Sequence, residues 1–153
     1  MDPLLKKNET PQRVGTARTV TIEITVQSNR LYNRRGTVDD CVSIWDGMLG
    51  SGYGQPKADY VTEIFKDHDA IWTIKAAEPK GTDKEYPVEL VEVSLGNAVL
   101  FGADKLYTNA ELTIEGKTET DAGEYNYTIK FNILHNGNSQ DYPIDPKLTA
   151  NPK

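Results

Sequence analysis

From Tyr125 to Ile133 the chain alternates without a break. Tyr125, Tyr127, Ile129, Phe131 and Ile133 stand on one side, and Asn126, Thr128, Lys130 and Asn132 on the other. Successive side chains of an extended strand point to opposite faces, so this spacing puts one face in a core and one in water. The lead-in Asp121-Ala122-Gly123-Glu124-Tyr125 matches the tyrosine corner of immunoglobulin-like sandwiches, where a tyrosine opening a late strand bonds back to the backbone just upstream. Tyr125 is therefore expected to be a buried corner residue.

The same period recurs in Val20, Ile22, Ile24 and Val26. β-branched and aromatic content predicts further strands over 58–65, 70–75 and 86–95, and one marked by Leu112 and Ile114 that ends at Gly116. Glu78 to Lys84 reads as a turn-rich loop. His135-Asn136-Gly137-Asn138 carries the Asn-Gly pair that predicts a hairpin, with its second strand over 140–145. Pro143 has no N–H for a ladder, so that strand belongs at a sheet edge or stops early. Seven to nine short strands without an amphipathic helix predict an all-β chain. The expected architecture is a single antiparallel β-sandwich of immunoglobulin-like or cupredoxin-like topology, with Trp72 in its core. Residues 1–17 are polar, hold Pro3 and Pro11 and lack a period, so they are expected to be a flexible arm, with the sandwich domain over 18–153. A chain of 153 residues buries roughly 70% of its unfolded surface, enough for a core without disulfides.

Chemistry is sparser. Between Gln27 and Lys57 the pattern loosens into Arg30, Arg34 and Arg35, then Asp39 and Asp40, then Cys41 to Trp45, then Gly47, Gly50, Gly52 and Gly54. Irregular stretches of that length inside a compact domain carry function more often than short loops do. Trp45, Tyr53 and Tyr60 flank the glycines and are the candidate ligand-binding residues, aromatics beside acids and amides being what a sugar-binding surface uses. The glycines themselves lead into Gln55-Pro56 rather than Lys-Ser/Thr, which excludes a phosphate loop. A blue-copper centre needs two histidines, a cysteine and a weak methionine. Of His68, His135, Cys41, Met1 and Met48, His135 alone follows the tyrosine strand, so no metal is expected. His68 stands between Asp67 and Asp69, but neighbours in an extended chain point away from it, which predicts a solvated loop rather than a triad. His135 is expected to be exposed in its turn. The acid pairs Asp39-Asp40 and Asp67/Asp69 lack the twelve-residue calcium loop. Cys41, the one cysteine, rules out an intrachain disulfide and reads as a small residue in a half-buried segment. No catalytic residue and no cofactor are expected. The net charge of −6 repels nucleic acid and anionic membrane surfaces. Without a run of roughly 18 apolar residues or a basic, apolar leader, a cytoplasmic location is expected.

The C-terminal third resembles the AidA/PixA inclusion-body family of small bacterial β-sandwich proteins. The resemblance lies in Gly123-x-Tyr125-x-Tyr127-x-Ile129-Lys130-Phe131-x-Ile133, followed after a short turn by Tyr142-Pro143-Ile144-Asp145-Pro146. Asp69-Ala70-Ile71-Trp72 is similar to a mid-chain Gly-Asp-x-Ile-x-Trp strand, one residue shorter and without its glycine. The resemblance implies a non-enzymatic cytoplasmic protein that accumulates or self-assembles, with no catalytic residues to carry over. The leading expectation is thus a protein that associates with itself or with a protein partner. The contact expected is the free edge of the strand around Tyr142 to Ile144, which nothing after Pro146 covers, or a neighbouring edge at 20–26. The second expectation is a small-ligand or carbohydrate-binding module built on 45–60.

Overall fold

The computed structural model describes residues 16–152. The arm expected over 1–17 lies outside the described residues except for Thr16 and Ala17. The first alternating segment forms β1 (Val20–Val26), whose Val20, Ile22, Ile24 and Val26 are at most 1% exposed. The stretch read as irregular is largely ordered: helices α1 (Ser28–Tyr32) and α2 (Val38–Cys41), then β2 (Val42–Trp45) and β3 (Gly50–Ser51), then a 3-10 turn (Lys57–Asp59). Thr37 and Asp40 start α2 with a reciprocal capping box, each side chain accepting from the other's backbone N–H. β4 (Val61–Phe65), β5 (Asp69–Ala76), β6 (Val88–Ser94), β7 (Lys105–Tyr107) and β8 (Ile114–Lys117) follow. The chain closes with β9 (Glu124–Asn126), β10 (Thr128–His135), β11 (Asn138–Ile144) and β12 (Lys147–Asn151).

The fold is mostly β, in three sheets ordered β3-β2-β1-β5-β8, β11-β10-β6-β7 and β4-β12-β9. Two pairs, β1 with β5 and β12 with β4, run parallel, which corrects the expectation of purely antiparallel sheets. The 27–68 segment is long enough to bring the chain back to its starting end, the crossover a parallel pair requires. Twelve strands among the described residues exceed the seven to nine expected, because short pairings such as β3 and β7 carry no period of their own.

β1 is hydrogen-bonded on both sides, to β2 and β5, so the free edge expected at 20–26 does not exist. Its polar Thr21, Glu23 and Thr25 reported a face turned outward, not an unpaired side. The long tyrosine strand is two strands. β9 pairs with β12 in one sheet, β10 pairs with β6 and β11 in another, and Tyr127 between them sends its N–H to the Pro146 carbonyl at 3.2 Å. The alternation survives the change of sheet: Tyr127, Ile129, Phe131 and Ile133 are buried, and Tyr125 is half-buried.

The Asn-Gly hairpin forms, with φ of 51° at Asn136 and 80° at Gly137, the pair of left-handed residues that a type I′ turn needs. A two-residue loop makes His135 and Asn138 a hydrogen-bonded pair, so Pro143 falls where its nitrogen faces away from β10. β11 is an edge strand, as Pro143 requires. Residues after Pro146, read as covering nothing, form β12 at the centre of its sheet, with Leu148 and Ala150 buried. Leu112, read as a strand residue, is exposed in a turn at φ 64°, and the strand begins at Ile114.

Trp72 on β5 is fully buried. Its Nε1 donates to the Tyr127 hydroxyl at 3.2 Å, and its ring meets Phe101 edge-on at 5.8 Å. Burial raises the Tyr127 phenol above its ordinary range, and the Trp72 hydrogen bond opposes the shift. No helix among the described residues is long and apolar enough to cross a membrane.

Candidate functional site

The segment from Trp45 to Val61 is shaped by two buried charges. Asp46, 5% exposed, accepts on Oδ1 from the backbone N–H of Met48 (2.9 Å) and of Leu49 (2.8 Å). Its Oδ2 accepts from the Tyr60 hydroxyl at 2.6 Å. An aspartate bonding backbone two and three residues on is the usual way this side chain bends a turn, and Gly47 supplies the positive φ of 93° there. Lys57, 2% exposed, points its Nζ at three carbonyls: Gln55 at 2.7 Å, Gly52 at 2.9 Å and Asp39 at 3.2 Å. An ammonium has three donors, so this cage uses all of them. The Lys57 backbone N–H also reaches the Asp39 carboxylate at 3.0 Å.

Taking a charge out of water costs several kcal/mol even after relaxation. Here carbonyls and backbone N–H groups offset that cost, and the loop is the shape that results. Burial pulls Lys57 below the usual lysine range, with Asp39 and Asp40 opposing. Burial, then the hydrogen bond to Asp46, pushes the Tyr60 phenol up.

The loop holds apolar side chains in water. Trp45, Met48, Leu49 and Tyr53 are each between 40% and 49% exposed, four of the seven large hydrophobic residues exposed among the described residues. They fall within nine residues of chain, the apolar crest of the loop. Beside the crest opens a cleft of about 460 Å³, with Leu49, Pro56 and Val61 as its apolar lining and Gln55, Asp59 and Tyr60 as its polar groups.

The three candidate aromatics take different positions. Tyr60 is in the cleft wall but buried, its hydroxyl committed to Asp46 and to the Leu49 carbonyl at 3.1 Å. Trp45 stands at the rim, its ring laid over Gly50, where an added Cβ would come within 3.1 Å of the indole and 2.8 Å of the Ile44 carbonyl. Tyr53 is exposed on the crest and is not part of the cleft lining. Asp46 and Lys57 were missed. Asp46-Gly47 is a turn pair that could have flagged the first, while nothing local marks a lysine that folds inward.

The other candidates fall elsewhere. Cys41 is fully buried within its half-buried segment, and burial holds its thiol above the ordinary range, away from the nucleophilic thiolate. His68 is half-buried in the turn between β4 and β5, where its carbonyl accepts from the Thr118 N–H at 3.0 Å. His135 is half-buried, not exposed: its ring stacks on Tyr86 at 4.0 Å, and its Nδ1 bonds the Glu85 carbonyl at 2.8 Å. The hairpin bends this ring against α1, whose Tyr32 meets it edge-on at 5.2 Å. Tyr125 makes the corner bond, hydroxyl to the Ala122 carbonyl at 3.0 Å, but half-buried at the surface rather than in the core.

No family profile matches the sequence, and no curated protein matches it. Among solved structures, the chain is similar to the PixA inclusion body protein of Burkholderia cenocepacia, with a TM-score of 0.57 and 9% identity over 92% of this chain and 99% of that one. The resemblance seen in the C-terminal third therefore holds for the fold of nearly the whole chain. At that identity it carries architecture alone.

Proposed function

We propose that this is a non-catalytic bacterial protein of the inclusion-body kind, one that associates with itself or a protein partner through the 45–53 crest. The observation that carries the reading is the crest itself, four apolar side chains held in water by a loop that two buried charges keep in shape. Exposed apolar side chains gain by being covered, and a loop already ordered loses little freedom on binding. The inclusion body protein that shares the fold supports the same reading. The β11 edge is the poorer contact. Pro143 offers no outward N–H, and antiparallel pairing of two copies about Asp141 would set like charges opposite each other.

We further infer that residues 18–153 form a single sandwich domain of immunoglobulin-like or cupredoxin-like kind, with the five- and four-stranded sheets as its layers. One hydrophobic cluster drawing on β1, β2, β5, β6, β10, β11 and β12 supports this. A cytoplasmic location goes with the inclusion-body reading.

The test is solution mass across a concentration series, by light scattering, for the wild type and for Met48→Asp. Association that grows with concentration in the wild type and is lost in the variant is expected. A wild type that stays monomeric at every concentration sinks self-association, and protein partners then remain to be sought with the crest as bait.

A second reading rests on the cleft, whose size and mixed lining suit a small ligand or a carbohydrate. A glycan-array screen with Asp59→Ala as control tests it. Glycan signals that persist undiminished in the variant count against this cleft.

A further inference from the structure

A second cleft, of about 430 Å³, opens between α1 and the 77–83 loop, at the end of the molecule away from His68. Arg30 and Arg35 line its helix side, and Glu78 and Asp83 line its loop side. Opposite charges across a gap attract, yet no ion pair joins these four side chains. Among the described residues the pair that does form is Lys105 with Glu92, at 3.8 Å.

Other bonds join the two walls. Asp83, 3% exposed, accepts the Asn29 backbone N–H on Oδ1 at 2.8 Å and the Glu78 backbone N–H on Oδ2 at 2.9 Å. The Asn29 side-chain amide adds a tie to the Thr82 carbonyl at 2.6 Å. Arg30 gives Nε to the Arg35 carbonyl at 2.9 Å, and Nη1 to the Gln27 side chain at 3.1 Å and the Asp40 carbonyl at 3.3 Å. Arg35 gives Nη2 to the Asn29 side-chain oxygen at 2.8 Å. Every one of these partners is neutral. The guanidinium groups form no ion pair with Glu78 or Asp83, and Nη2 of Arg30 with Nε and Nη1 of Arg35 keep free donors.

We propose that this cleft binds a small zwitterion of the amino-acid type, its carboxylate toward Arg30 and Arg35 and its ammonium toward Glu78, the exposed acid of the loop wall. A plain anion would be repelled by the loop wall and a plain cation by the helix wall, whereas a ligand carrying both charges gains at each. Guanidinium groups take carboxylates in paired hydrogen bonds, which fixes the ligand's direction. The network through Asn29 and Asp83 builds the gap before any ligand arrives, so little ordering is left to oppose binding. This site shares no lining residue with the cleft beside the crest.

The test follows backbone amides of the labelled full chain by NMR during addition of glycine, γ-aminobutyrate, acetate, methylammonium or inorganic phosphate at constant ionic strength. Saturable shifts at Asn29, Glu78 and Asp83 are expected with at least one zwitterion, about ten-fold tighter or more than with acetate, methylammonium or phosphate. Arg35→Gln should abolish that preference without moving the denaturant midpoint, since Arg35 is exposed. The proposal fails if neither zwitterion gives a saturable shift, or if acetate or phosphate binds as tightly, which would mark a plain anion site. Undiminished zwitterion binding in Arg35→Gln overturns it as well.

Discussion

The core around Trp72 and the loop from Trp45 to Tyr60 are both ordered, but by opposite physics. Around Trp72, apolar side chains from β1, β5 and β10 lose their water, a non-directional gain that scales with area. In the loop, a carboxylate and an ammonium are buried at a cost, and directional bonds to particular backbone groups offset it. The first arrangement tolerates small shifts in geometry. The second keeps one shape or loses it, which is what a presented contact surface needs.

The largest expected effect comes from the core. Trp72→Ala removes the fully buried indole and should cost about 3–5 kcal/mol, read as a fall in the urea midpoint. A loss below about 1 kcal/mol would mean that the core does not close around this ring.

Lys57→Met tests the loop. It keeps the stem but leaves three carbonyls without their donor, for a cost of about 1–3 kcal/mol. Hydrogen exchange should quicken at the Gly54 amide while amides of β1 and β10 keep their protection. Uniform loss across both regions would show that loop and core open as one unit.

Alkaline pH acts on the loop through two groups of opposite sign, Tyr60 and Lys57, and on the core through Tyr127. Tyr60 and Tyr127 have folded-state pKa values raised above the ordinary phenol value of 10.0, so their contribution is complete below that pH and is lost as pH climbs past it. The loss per group approaches about 1.4 kcal/mol per pH unit. Lys57 is depressed from 10.5, so its contribution runs the other way, growing as pH rises through the window below that value. Net stability should fall above about pH 10, and less steeply in Tyr60→Phe. Equal slopes in variant and wild type would show that Tyr60 does not keep its proton in the fold.

The smallest effect belongs to Tyr125→Phe. Its corner bond lies at the surface, where water replaces the lost partner, so about 0.5 kcal/mol is expected instead of the larger cost of a buried corner. A loss above about 2 kcal/mol would restore the buried reading.

Period-2 alternation is a property of the extended backbone itself, so β1 and the run from Tyr125 to Ile133 could be read directly, and so could the Asn-Gly turn and the edge position that Pro143 demands. Sheet membership could not, because it depends on partners far away in the chain. The same unbroken alternation serves two sheets on either side of Tyr127, and Trp72 meets Tyr127 across 55 residues. The loop shows the limit most clearly. Gly47, Gly50, Gly52 and Gly54 read as freedom, and Trp45, Tyr53 and Tyr60 as one aromatic surface. Asp46 instead closes on Tyr60 across 14 residues, and Lys57 on Asp39 across 18, turning that freedom into a single shape that buries one aromatic and exposes two. Local pattern reports which way a side chain faces, and only the packed chain decides what stands opposite it.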